Sequence, residues 1–307
     1  MKILLFCISS LVISHIFAQS NLPQVTEGKI VRIEKFPSKY IDPRTVDIWL
    51  PPGFDKSQKY SVIYMHDGQM LFDPSKTWNK KEWKVDETLG ALIRDKKIPP
   101  VIVVGIWNNG EKRRYEYMPQ KPFEKLPIST QAEIRTTLMT ITDHSPYPLL
   151  ADNYLKFIVK ELMPSINKLY PTYGDRSHTF IAGSSFGGMI SWYALCEYPK
   201  VFGGAACLST HWPGMFPGNM NAALPTEFYK YINKHFPVKN HRIYFDYGTE
   251  SLDQYYEPYQ QKVDSILRAK KMSSDNWVTQ KFDGKDHSEG AWAERLAIPI
   301  QFLLHGQ

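Results

Sequence analysis

Apolar positions along this chain recur with two periods, and the switches between them mark out its elements. Short runs rich in β-branched and aromatic residues read as strands at Lys29–Phe36, Thr45–Leu50 and Tyr60–His66. Pro51, Pro52 and Gly53 stop the second of them. A helical period follows at about 84–94, where Val85, Leu89, Leu92 and Ile93 fall on one face. Pro99 and Pro100 then introduce VIVVGI (101–106), apolar on both faces as central parallel strands are. Between Trp107 and about Pro148 the regularity fails. That stretch holds NNG, RRYEY, several prolines and a polar tract from Ser129 to Ser145, and it predicts a long excursion over the scaffold. Helical spacing returns over Leu149–Leu169, with Pro164 as a candidate kink.

From there the alternation is strict. Strands are expected at His178–Gly183, Val201–Ser209, His241–Tyr247 and Asn276–Phe282. Helices are expected at Gly187–Glu197, Pro225–His235, Tyr255–Ala269 and from Glu289 onward. Eight strands, the later ones alternating with helices, predict an α/β fold: a predominantly parallel eight-stranded sheet with right-handed crossovers and helices on both faces. Two β segments before the first helix fit an open sheet better than a barrel.

Composition narrows the class. The 307 residues are 43% hydrophobic and 22% charged, which excludes a disordered or fibrous chain. The net charge of +6 is spread without any run of five like charges, so no nucleic-acid partner is expected. Residues 1–20 have a lysine, an apolar run and small residues Ala18 and Ser20 two apart, the pattern of a secretory signal peptide. The run is too short to span a membrane, so 21–307 is expected as one secreted or periplasmic domain with no membrane segment. Its oligomeric state is left open. Cys196 and Cys207 lie among apolar neighbours and read as buried free thiols. No Cys/His cluster has the spacing of a zinc site, and neither metal nor cofactor is expected.

The chemistry concentrates at Gly183-Ser184-Ser185-Phe186-Gly187, a G-x-S-x-G string between a buried strand and an apolar-faced helix. A serine at that junction sits on a sharp turn that lifts its hydroxyl above the sheet edge, so Ser185 is the candidate nucleophile and Ser184 should face elsewhere. A serine needs a base that comes last in chain order here. His287, between the last strand and the last helix, fits best. The acid should follow the preceding strand, where Asp253 and Glu250 both qualify; Asp253 is favoured as the shorter carboxylate set deeper in its loop. Two backbone N–H groups must face the developing oxyanion. Phe186 offers one, and the other is expected from Gln69, with Gly68 permitting the strained turn. His66 and Asp67 read as groups that fix this turn rather than as a metal or catalytic pair. His211 and Trp212 are expected to wall the cleft, with Trp107, Arg113, Arg114 and Tyr115 as another rim.

Together these residues resemble the putative-esterase family of α/β-hydrolases, which includes feruloyl and acetylxylan esterases, enterochelin-type siderophore esterases, S-formylglutathione hydrolase and mycolyltransferases. The likeness is carried by PRTVDIWLPPGF (43–54), YSVIYMHDGQMLFD (60–73), VIVVGIWNN (101–109), the long string from Phe180 to Trp212, YFDYGTESLD (244–253) and DGKDHSEGAW (283–292), in family order. The resemblance implies the α/β-hydrolase fold, Ser185 as nucleophile, His287 as base, and Asp253 or Glu250 as acid. It also implies a Gly68–Gln69 oxyanion turn. The acid loop reads GTESLD where many relatives place the acid within three residues of the glycine, which keeps Glu250 open. The implied activity is serine ester hydrolysis through an acyl-enzyme. Secretion and the family point to a small or polysaccharide-linked ester, feruloyl or acetyl, as substrate. Siderophore esterase, acyltransferase and a non-catalytic binding protein on the same scaffold are the alternatives.

Overall fold

Eight strands form one sheet in the order β1-β2-β4-β3-β5-β6-β7-β8. They are β1 (Lys29–Phe36), β2 (Arg44–Leu50), β3 (Ser61–His66), β4 (Val101–Ile106), β5 (Thr179–Ser184), β6 (Gly204–Leu208), β7 (Arg242–Gly248) and β8 (Trp277–Phe282). The computed structural model from which this is drawn describes residues 22–142, 147–220 and 222–306. The expected leader at 1–20, and residues 143–146 of the expected excursion, lie outside them. β2 pairs antiparallel with β1 and with β4, and every later pairing is parallel. The eight-stranded, mostly parallel α/β-hydrolase architecture is therefore present, with an antiparallel edge.

Strand periodicity of two gives the sheet its two apolar faces. In β4, Ile102, Val104 and Ile106 point into one cluster while Val101 and Val103 point into the other. The second cluster is closed by Val85, Leu89 and Leu92 of helix Val85–Arg94 and by Ile300 and Leu303 of helix Ala297–Leu304. Trp292 of helix Glu289–Arg295 joins it, and helices such as Phe186–Glu197 and Ala223–His235 cover the first. Parallel strands buried on both faces must be apolar throughout, which is why β3, β4 and β5 are buried along their whole length. Among the described residues no helix is long and apolar enough to cross a membrane. Cys196 and Cys207 are both free and buried, and burial pushes both thiols up.

Two segments differ from the sequence expectation. The polar tract lies, from Ser129 to Thr142, within an α-helix, Ile128–Thr142, preceded by helical turns at Arg113–Tyr117 and Gln120–Phe123. Tyr115, Tyr117, Met118, Phe123, Ile134 and Leu138 from this stretch are buried in the core. One apolar pair four residues apart anchors the long helix, too sparse a stripe to reveal it. The expected helix over Leu149–Leu169 contains a π-helical turn at Ile158–Leu162, just before Pro164. Proline cannot donate to the carbonyl one turn back, and the wider turn absorbs the break without ending the helix.

Candidate active site

Parallel strands deliver their loops to the same sheet edge, and three of those loops meet over β5. The first is the turn after β5. Ser185 adopts φ 58° and ψ −122°, a conformation that costs a non-glycine residue about 1–3 kcal/mol. The strain is held by backbone bonds on both sides: its N–H donates to Leu208 (3.0 Å) and its carbonyl accepts from His211 (3.2 Å). Gly183 is required by close approach, since a Cβ there would lie 2.9 Å from the Gly187 backbone and from His66 Cδ2. Ser185 stays 9% exposed, in a cleft of about 570 Å³ that it shares with Ser184, Gln69, Arg113, His287 and Trp292. Ser184 therefore does not face away from the cleft as expected.

The second loop carries the candidate acid. After β7 the chain makes a 3₁₀ turn at Ser251–Tyr255 that points Asp253 inward. Asp253 Oδ1 lies 2.5 Å from His287 Nδ1, and its Oδ2 accepts from Ser209 Oγ (2.6 Å) and the Gly248 N–H (2.7 Å). Glu250, the other sequence candidate, is exposed and precedes the turn. The loop after β8 brings His287 in, tied by the Lys285 carbonyl, which accepts from the N–H groups of Thr249 and Glu250 (3.0 Å each). The imidazole stands edge-on to Trp292, 5.0 Å between ring centres.

Behind this pair lies a buried polar network that sequence reading missed. Ser209 Oγ donates to Asp253 and accepts from Trp292 Nε1 (2.9 Å) and Arg295 Nη2 (2.8 Å). Arg295 is in turn paired with Asp246 at 2.9 Å. Burial raises the Asp246 carboxyl above its ordinary value, against the pull of Arg295. Every lone pair and donor of the Ser209 hydroxyl is used, so the network positions Asp253 with little slack. Nothing in the spacing of residues 209, 246 and 295 marks them beforehand.

The third loop follows β3. Its left-handed residue is Asp67, φ 57°, and not Gly68 as expected. Gly68 is needed for space instead: a Cβ there would meet the Gly105 backbone at 2.5 Å. Asp67 is clamped by Arg113, whose Nε and Nη2 donate at 2.6 and 2.7 Å, and by Asn108 Nδ2 at 2.7 Å. Burial alone would raise this carboxyl, but the Arg113 guanidinium holds it below the usual carboxylate value. His66 bonds Tyr154 OH at 2.7 Å through Nδ1, and burial lowers its pKa to about 3. Gln69 follows in the 3₁₀ turn Gly68–Met70 and lines the cleft.

The expected walls divide. Arg113 lines the cleft, but its guanidinium is committed to Asp67. Tyr115 is fully buried in the core and Arg114 lies over the Phe216 ring. Trp107 donates from Nε1 to Asp47 (2.8 Å) under the Arg32 guanidinium, outside the cleft lining. Trp212 is buried, with Nε1 bonded to Gln260 (2.7 Å), and His211 bonds Tyr256 OH (2.7 Å). These two rings pack beneath the site because the chain turns inward after β6, so the wall expected there is core. The tryptophans that line the cleft are Trp78, which is exposed, and Trp83 and Trp292, which are buried; none of them is marked by the sequence pattern. None of the cleft-lining groups forms a set of three His, Cys or carboxylate ligands; among the described residues only Glu82, Asp86 and Glu87 do.

The fold and this arrangement define a class, and comparison with known proteins agrees. The family model described as "Putative esterase" matches residues 39–298. The chain belongs to that family, and its sheet is that of the α/β-hydrolase fold. YbbA of Bacillus subtilis (strain 168) is 24% identical over 171 residues, covering 55% of this chain. This chain spans 58% of the length of that relative. Among solved structures, a ferulic acid esterase is similar with TM-score 0.64 at 18% identity, covering 92% of this chain and 99% of that one. The enterobactin esterase of Shigella flexneri is similar with TM-score 0.62 at 18% identity, covering 92% and 60%.

Proposed function

We propose that the protein is a secreted serine esterase, formed by one domain over 21–307, that cleaves feruloyl or acetyl esters of plant polysaccharide. The observation that carries this reading is one cleft holding Ser185 and His287, with Asp253 at 2.5 Å behind the imidazole. His287 takes the Ser185 proton as the hydroxyl oxygen attacks the ester carbonyl. The N–H groups of Phe186 and Gln69 receive the oxyanion, Phe186 from the first turn of a helix where N–H groups lack intrahelical partners. His287 then protonates the departing alcohol, and water attacks the acyl-enzyme by the same steps. Asp253 fixes the imidazole tautomer and balances its transient charge.

The cleft surface supports this choice of substrate class. Trp78 is 84% exposed at the cleft and offers a ring face suited to a sugar or an aromatic acyl group, while Trp83 and Trp292 line the cleft as buried rings. An acidic catecholate ligand would want a free arginine, and Arg113 is already paired. The test is a panel of acetyl, feruloyl and catecholate-siderophore esters on the purified protein. Turnover of the feruloyl or acetyl esters well above the siderophore is expected. Preference for the siderophore, or transfer to an added alcohol in place of hydrolysis, would reassign the function.

A further inference from the structure

Behind the cleft wall, at the start of helix Val85–Arg94, three carboxylates face one another. One oxygen each from Glu82, Asp86 and Glu87 lies within 4.8 Å of the other two. Asp86 is fully buried and Glu82 is 8% exposed. Asp86 Oδ2 is fully engaged, accepting from the N–H and hydroxyl of Thr26 (2.7 and 3.2 Å) and the Glu27 N–H (3.3 Å). Its Oδ1 has no hydrogen-bond partner, and neither has Oε2 of Glu82 or of Glu87, all three buried. The helix terminus does not serve them at its first residue, because the Val85 N–H donates to the Leu71 carbonyl.

Buried acceptors without a donor are rare in native proteins, and three converging acceptor-only oxygens are costly unless a positive centre sits between them. We propose that Glu82, Asp86 and Glu87 bind a divalent cation of the calcium class. The donors are all carboxylate oxygen, which selects hard cations over zinc or copper. Their separation matches oxygens held about 2.3–2.6 Å from a common centre, with water completing the shell.

The cation acts at a distance from the reacting atoms. Trp83, between two of its ligands in sequence, packs against Trp292 (5.3 Å between ring centres), which abuts His287. The Trp83 and Val85 N–H groups donate to the carbonyls of Met70 and Leu71 (3.0 and 3.1 Å), next to the oxyanion turn. Binding therefore pins the wall that carries Trp78 and Trp83, and stands whether or not the substrate assignment above holds.

The experiment is thermal unfolding of the full chain, stripped with chelator and titrated with Ca²⁺ or Mg²⁺ at pH 8, together with calorimetric titration. A saturable rise in Tm with Ca²⁺ is expected, with Mg²⁺ weaker. Glu82→Gln and Glu87→Gln should each move the Ca²⁺ midpoint at least about tenfold higher, as loss of one charged ligand does. Glu34→Gln, an exposed acid elsewhere, should not. Absence of heat and of any Tm shift up to about 10 mM Ca²⁺, above the weakest calcium modules, overturns the proposal. So does an equal shift in wild type and both variants. Should Glu82→Gln fail to fold, Glu87→Gln and the wild-type calorimetry decide alone. Stability that follows pH and ignores Ca²⁺ would overturn the proposal as well, the carboxyls then sharing protons instead.

Discussion

β3 and β5 lie side by side, run parallel, and end in the same unusual way. Each hands the chain to a non-glycine residue of positive φ, Asp67 at 57° and Ser185 at 58°, and each then starts a helical turn. The supports differ. The Ser185 turn is held by its own surroundings: room at Gly183 and Gly187, and backbone bonds to Leu208 and His211. The Asp67 turn is held by charge, through a guanidinium 46 residues further along the chain. Comparable strain is thus offset by local geometry in one case and by a long-range ion pair in the other. Only the second rests on an ion pair, which acid or loss of one distant cation would break.

The largest expected effects lie on the Ser185 side. Ser185→Ala should lower ester hydrolysis by at least about 10⁴-fold, since losing the nucleophile removes the covalent route. Circular dichroism should be unchanged, because the turn is held by backbone. Asp253→Asn should cost about 10³–10⁴ in kcat through the wrong imidazole tautomer, while Glu250→Gln stays within about twofold. Equal small losses from both acids would break the assignment. Steady-state kinetics on p-nitrophenyl acetate read all three.

The same contrast explains what the sequence disclosed. Strand–turn–helix around Ser185 is written in consecutive residues, so glycine spacing and apolar runs located it, and the order of the later strands with it. Asp253 and Glu250 could not be separated by spacing. What distinguishes them is that the Ser209 hydroxyl and Gly248 N–H converge on one carboxylate and leave the other in solvent. The Asp67 clamp, the Ser209–Arg295–Asp246 network and the Glu82 cluster each join residues that are neighbours only after folding. Cys and His spacing carries no information on clusters of carboxylates. Trp212 and Tyr115 show the opposite error: aromatic residues near a motif suggested a rim, but large rings close to a sheet edge are as well spent in the core.

Arg113→Ala tests the charged turn directly. It leaves Asp67 buried without its cation, and breaking such a pair costs about 3–5 kcal/mol, nearer the lower figure here because Arg113 keeps some exposure. Denaturant melts should show that loss, and kcat should fall about tenfold or more as the Gln69 N–H drifts from the oxyanion. The pH dependence has a definite sign. The folded pKa of Asp67 lies below its unfolded value, so its contribution is present above about pH 4 and is lost as pH falls through the folded pKa. In Arg113→Ala burial is left to raise the Asp67 carboxyl, so that acid loss should disappear or reverse, the variant losing stability as pH rises. A variant with wild-type stability and kcat would mean the turn needs no ion pair.

The smallest effect concerns the residue between the two turns. His66 Cδ2 fixes how much room there is at Gly183, and its Nδ1 is bonded to Tyr154. Burial keeps the ring neutral down to about pH 3, whereas the unfolded chain takes up a proton near about 6.5. Between those values the unfolded state binds more protons, so stability is full above about pH 6.5 and falls as pH drops. The slope from this one group is about 1.4 kcal/mol per pH unit. Burial also lowers His211, so the wild-type slope should be steeper than one group gives. Melts of wild type and His66→Gln at pH 7 and pH 5.5 isolate the share of His66, because the other titrating groups cancel in the difference. If the variant flattens the profile by about one proton, both turns lean on the same neutral imidazole. An unchanged profile would mean that the ring accepts a proton in place, and the two turns would then be supported separately after all.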